Sequence, residues 1–216
     1  MSFARSITAS RSARIGAAVL ISMAAIGSVA APAQAHEAPK PGARCAMSGL
    51  TEYNHGTVYL CQKTGSAKPT WSKGLKESKS PLKLSDGWVK AVDSGMTASF
   101  GVISNPTGKA ITIVGASSPL SAAVQLHEMA ESNGTMVMQE KPGGIVVPAG
   151  GMATLKPGGN HVMLMKVKKP IKPGQLIPIT LITSDGGLLT VKVIAKTYTG
   201  ANETYDPNGT GMSGRS

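Results

Sequence analysis

From Pro81 onward the sequence never sustains the 3.6-residue apolar period of an amphipathic helix. It alternates apolar and polar residues in short runs, broken again and again by glycine and proline. Strands are expected over "GWVKAV", "TASFGVIS", "AITIVGAS", "AVQLHE", "TMVMQE", "ATLKP", "HVMLMKV", "LIPITLITS" and "LLTVKVIAK". The turns between them are "NPTGK", "SNG", "KPGG", "PAGG", "KPGGN" and "SDGG". A strand with one apolar face must bury that face against another sheet, so many short strands with tight turns predict an all-β antiparallel sandwich or barrel.

The N-terminus obeys different rules. "MSFARSITASRSAR" has three arginines and no acid, "IGAAVLISMAAIGSVA" is small and apolar, and "APAQA" ends on Ala-x-Ala. Residues 1–35 therefore read as a secretory signal cleaved after Ala35. No cysteine follows the apolar run at the place lipid attachment requires, which argues against a lipoprotein anchor. No later apolar run is long enough to span a bilayer, so the expectation is an exported, soluble protein with no integral membrane segment. Without the signal, nineteen Lys and Arg face eleven Asp and Glu. The lysines are spread along the chain and aromatics are scarce, so nothing here forms a nucleic-acid platform; a weak attraction to anionic envelope polymers is all the charge implies.

Residues 36–75 contain both cysteines, Cys45 and Cys61. In an oxidising compartment a disulfide between them is the expected state, with a pair of metal-binding thiols as the alternative. "HGTVYLC" after "EYN" reads as a hairpin stapled by that bond, with Trp71 packed over it. The segment is similar to a short cysteine-paired hairpin module of exported actinobacterial proteins. Residues 76–81 read as a linker, 82–199 as the main domain, and the polar, glycine-rich 200–216 as a disordered tail.

Two pieces of the main domain carry chemistry. "VQLHEMAESNGTMVMQE" holds His127, Met129, Met136 and Met138, and "GGNHVMLMKV" holds His161, Met163 and Met165. On a strand, residues two apart share a face, so His127 joins Met129, Met136 joins Met138, and His161 joins Met163 and Met165. "SNG" is a tight turn that can set the first two groups side by side. Imidazole and thioether bind metal without adding negative charge, a donor set for a soft monovalent ion such as Cu(I); Mg²⁺ and Ca²⁺ want carboxylates and structural Zn²⁺ wants thiolates. Methionine also tolerates an oxidising compartment in which thiols do not persist. The competing reading is that these methionines only fill a core.

From Leu82 to about Thr199 the chain resembles the PCu(A)C extracytoplasmic copper chaperones. The landmarks are "LSDGWVKAV", "GMTASFGVISN", "IVGASSPL", "VQLHEM", "MVMQE", "VPAGGMATLKPGGNHVMLMKVKKPIKPGQLIPITL" and "LTVKVIA". The resemblance implies a cupredoxin-like Greek-key β-sandwich. It also implies a motif of His with an optional Met two later, a Met after ten residues, then twenty-one residues and His-x-Met. Carried onto this chain, the motif makes His127, Met138, His161 and Met163 the metal ligands and puts Met129 in the optional place. Twenty-two residues, rather than twenty-one, separate Met138 from His161. If the extra residue lies in the turn "EKPGGIV", Met138 keeps its face; if it lies within a strand, Met136 replaces it. The resemblance implies binding of Cu(I), with Cu(II) as a further state, and delivery to a copper-accepting partner such as a respiratory oxidase subunit or another chaperone.

No nucleophile with a base, carboxylate dyad or phosphate loop is present, so the reading is a binding protein and not an enzyme. An electron-transfer cupredoxin would need a cysteine thiolate, and both cysteines lie outside the main domain. Copper buffering, or a structural sandwich with a Met/His core, are the remaining alternatives. His36, terminal after cleavage, is a candidate Cu(II) chelator; His55 reads as a solvated turn residue, and Met96 as core, with a thioether near the site as the alternative.

Overall fold

A computed structural model of the chain describes residues 37–64, 67–132 and 134–200. The expected signal segment and cleavage site, His36 and residues 201–216 lie outside the described residues. The described residues are built of strands: β1 (Thr51–Asn54), β2 (Thr57–Gln62), β3 (Thr70–Trp71), β4 (Leu75–Lys76), β5 (Ser78–Lys79), β6 (Lys83–Lys90), β7 (Thr97–Ser104), β8 (Ile111–Ser117), β9 (Ser121–Ser132), β10 (Thr135–Glu140), β11 (Ile145–Val147), β12 (Met152–Leu155), β13 (His161–Val167), β14 (Leu176–Thr183) and β15 (Gly187–Lys196). Among these residues no helix is long and apolar enough to cross a membrane.

Strands β6 to β15 join in the order β10-β9-β13-β7-β6-β15-β14-β8-β11, with β12 added to β7 and β5 to β15. The pairings are antiparallel except those of β15 with β5 and β6. Side chains from β8, β14 and β15 meet side chains from β9 and β13 in one aliphatic core that includes Ile113, Leu181 and Val193 on one side and Val124, Leu126, Val162 and Leu164 on the other. The all-β sandwich expected from the alternation, with its stapled hairpin ahead of it, is thus the observed architecture. Each aliphatic side chain buried there contributes roughly 1.5–3 kcal/mol.

Two features exceed the sequence reading. The turn "EKPGGIV" yields a further strand, β11, which pairs with Ile111–Ile113. Gly144 opens it at φ +83°, where an added Cβ would stand 2.1 Å from the Ile113 carbonyl oxygen, so only glycine fits. The expected linker 76–81 contains β5, whose Ser78 and Lys79 pair with Gly187 and Leu188.

Ahead of the sandwich, β1 and β2 form a two-residue hairpin through His55 and Gly56, both at positive φ (46° and 72°), the backbone of a type I′ turn. His55 is exposed there. A disulfide joins Cys45 to Cys61 on β2, and Trp71 on β3 stands opposite Cys61. The hairpin lies against the sandwich: Leu60 fills the space beside Gly115, and the Val124 amide donates to the Gly49 carbonyl at 2.9 Å.

Candidate metal centre

The site is a product of register. Strand β13 pairs with β9 so that His161 stands opposite His127 and Met163 opposite Gln125. On the far side of β9, β10 sets Met138 opposite Met129 and Glu140 opposite His127. On the far side of β13, Met163 faces Ala98 of β7. Directly paired residues point to the same side of a sheet. One face therefore collects His127, His161, Met129, Met138, Met163, Gln125 and Glu140, while the intervening Val162, Leu164 and Leu126 turn into the aliphatic core.

The two imidazoles lie 5.5 Å apart between ring centroids, edge to face. His161 Nδ1 is 2.9 Å from the Gly159 carbonyl, which can only accept, so Nδ1 carries a proton and the neutral form of the ring has its lone pair on Nε2. Phe100 walls the ring at 6.1 Å and is itself packed on Trp88. His127 is fully buried, with Nε2 at 2.8 Å from Gln125 Oε1. Burial, and secondarily the neighbouring His161, lower its pKa from 6.5 to about 3, so the ring is neutral at any physiological pH. Glu140, held by the Ser48 hydroxyl, has its carboxyl pKa raised by burial, against the pull of that hydrogen bond and of Lys63.

A cleft of about 370 Å³ opens onto this face, lined by His161, Met138, Met163, Met96, Phe100 and Lys90 among others. His127 lies behind it. The thioethers of Met138, Met163 and Met165 are buried in one cluster with Phe100, and Met129 and Met47 pack against it half-buried.

The expected set His127, Met138, His161 and Met163 is brought together, with Met129 beside it. The twenty-second intervening residue leaves Met138 pointing inward at 4% exposure, whereas Met136, on the same face near the hairpin end, is 56% exposed. Met96 is not core but the alternative, a thioether beside the site: it is 42% exposed and lines the cleft, because it follows Gly95 in the loop before β7. Gln125, Glu140 and Met47 were not singled out from sequence. Gln125, two residues from His127, shares its face by alternation, whereas Glu140, thirteen residues away, is placed opposite it only by the register. Among the described residues no three His, Cys, Asp or Glu side chains are placed to hold a metal ion. The imidazoles and thioethers gathered on this face are a donor set that suits a soft ion.

Residues 82–195 match the family described as "Putative lipoprotein LpqE-like". The chain is 45% identical over 124 residues to the "Putative lipoprotein Lxx21020" of Leifsonia xyli subsp. xyli, a match covering 57% of this chain and 75% of the relative. Similar solved structures include the copper-bound PCuAC domain from PmoF2, 20% identical over 56% of this chain and 97% of that one with a TM-score of 0.46. The Cu(I) form of DR1885 from Deinococcus radiodurans is 31% identical over 54% of this chain and 80% of that one, with a TM-score of 0.43. The family match covers the domain that carries the two His-x-Met units, and by it the chain belongs to the LpqE-like family.

Proposed function

We propose that the protein is an extracytoplasmic copper carrier that holds Cu(I) between His127, Met138, His161 and Met163, with Met129 as an accessory thioether, and hands it to a copper-accepting partner such as an oxidase subunit. The observation that carries this reading is the placement of two imidazoles and several thioethers on one sheet face beneath an open cleft. A donor set without charge or thiolate favours Cu(I) over divalent ions. A cleft lined by His161 and the two methionines suits release by ligand exchange, and nothing in the donor set calls for catalysis. The family description and the signal-like leader both agree with work outside the cytoplasm, and the solved domains named above include copper-bound forms. Both cysteines of the sequence are spent on the disulfide.

The test is Cu(I) competition against a coloured chelator, for the protein lacking residues 1–35 and its His127→Ala, Met138→Ala double variant. Tight one-to-one binding that collapses in the variant is expected. Weak binding, indifferent to the substitutions, would mean that the methionines are only packing.

A further inference from the structure

The stapled N-terminal hairpin reaches the candidate metal site through one short loop. Ser48 is buried, three residues from Cys45, and touches both neighbours of His127. Its hydroxyl donates to Glu140, which stands opposite His127 on β10. Its carbonyl oxygen lies 3.0 Å from Gln125 Nε2.

That second contact settles a question of protons. A carbonyl can only accept, so the amide atom facing Ser48 must be the NH₂ and the atom facing His127 must be the oxygen. An amide oxygen can only accept in turn, so His127 Nε2, 2.8 Å away, must carry the ring proton. A neutral imidazole has one proton, which leaves the lone pair on Nδ1, an atom buried within this face. His161 is held the other way round, with its proton on Nδ1 through the Gly159 carbonyl. The structure assigns to Gln125 and the Ser48 loop the role of positioning residues. They hold His127 in the Nε2–H tautomer so that Nδ1 is its metal-binding nitrogen, opposite to the Nε2 offered by His161. The disulfide module is then an outer wall of the copper site as well as a stabilising appendage. This inference rests on the proposed copper reading only for its affinity consequence; the tautomer is a property of the metal-free protein.

The loop is held from both sides. Cys61 accepts from the Gly49 amide at 2.9 Å, and Gly49, at φ +85°, sits so close to β9 that an added Cβ would be 2.6 Å from the Val124 carbonyl oxygen. The disulfide at Cys45 fixes the other end. Second-sphere partners of this kind orient a metal-binding ring, and their loss typically costs roughly tenfold to hundredfold in affinity.

The experiment is a long-range ¹H–¹⁵N histidine correlation on the metal-free protein near neutral pH, paired with Cu(I) competition, for wild type, Gln125→Leu, Gln125→Glu and Cys45→Ala, Cys61→Ala. Expected is an Nε2–H pattern for His127 beside an Nδ1–H pattern for His161. Gln125→Leu should lose the His127 pattern and weaken Cu(I) binding roughly tenfold to hundredfold. Gln125→Glu, which keeps an acceptor for the ring, should retain the pattern. The cysteine variant should scramble it, because the Ser48 carbonyl is no longer held. A His127 that is Nδ1–H in wild type, or a Gln125→Leu protein with pattern and affinity unchanged, would overturn the inference. A folded cysteine variant with the wild-type pattern would remove the module from it. If wild type shows the expected tautomers but does not bind Cu(I), the copper reading fails and the positioning role of Gln125 stands.

Discussion

The two faces of the β9–β13 pair share one backbone and differ in almost everything else. On one face Val124, Leu126, Val162 and Leu164 enter the aliphatic core. On the other, displaced by a single residue in each strand, His127, Gln125, His161 and Met163 form a face of imidazole, amide and thioether. The first face is covered by the opposite half of the same sandwich. The second is extended by β10 and covered in part by the loop of the stapled module, whose Met47 and Leu50 pack on it, and a cleft opens onto it. The first is therefore built for cohesion alone, whereas the second must hold donor atoms in place while keeping a way in. The strand period of two lets one pair of strands do both.

If that division is real, damage to each face should read out differently. The largest effect on stability belongs to Leu164→Ala, on a fully buried side chain of the aliphatic face. Removing it leaves a cavity and costs about 2–5 kcal/mol in denaturant unfolding. The folded fraction should bind Cu(I) as wild type does; a matching loss of affinity would show that the two faces are mechanically one.

Next in size is Cys45→Ala, Cys61→Ala. The bond closes a separation of 16 residues, for which loop closure alone predicts about 3 kcal/mol. Because the module covers the donor face, this change should lower copper affinity as well as stability. That is the outcome Leu164→Ala should not give, and a cysteine variant with intact affinity would place the module outside the site.

Most of this contrast was legible in the sequence because alternation and register are local properties. "HVMLMKV" announces by itself that His161, Met163 and Met165 share one face, and "SNG" announces the hairpin that puts Met138 beside Met129. What was not legible depends on segments distant in sequence. The Ser48 loop meets Gln125 across 77 residues, and no spacing rule connects them. β11 was read as part of a turn because it is only three residues long and follows two glycines. Met96, read as core with a thioether near the site as the alternative, follows a glycine in a loop and lines the cleft.

Acid should act on the donor face, and at lower pH also at Asp185 in the β14–β15 turn, whose carboxyl the Thr183 hydroxyl holds below its ordinary pKa. His127 is neutral in the fold, with its pKa lowered to about 3 by burial and by His161, and returns to its ordinary 6.5 on unfolding. The unfolded chain thus binds more protons between those values, so the stabilising state is fully present above pH 6.5 and is lost as pH falls toward 3, at up to about 1.4 kcal/mol per pH unit. Glu140, whose pKa is raised, works in the other direction: the folded state holds its proton more tightly, so its contribution fades as pH rises above 4.5. Thermal unfolding of the metal-free protein should therefore weaken steeply between pH 6.5 and the acid limit, and His127→Gln should flatten or reverse that slope. A slope unchanged by the substitution would exclude His127 as its source.

The smallest effect on stability is the most discriminating. Met138→Leu and Met163→Leu nearly conserve volume at side chains only 4% exposed, so each should cost less than about 1.5 kcal/mol. If the sulfur atoms served only as packing, nothing else would change. As donors they are irreplaceable, since leucine offers a metal no electron pair, and each substitution should weaken Cu(I) binding by more than the roughly tenfold to hundredfold expected for losing an outer hydrogen bond. The same exchange at exposed Met136 should change neither quantity. A Met163→Leu protein of normal stability and normal affinity would return the second face to the status of the first, a core that happens to contain sulfur.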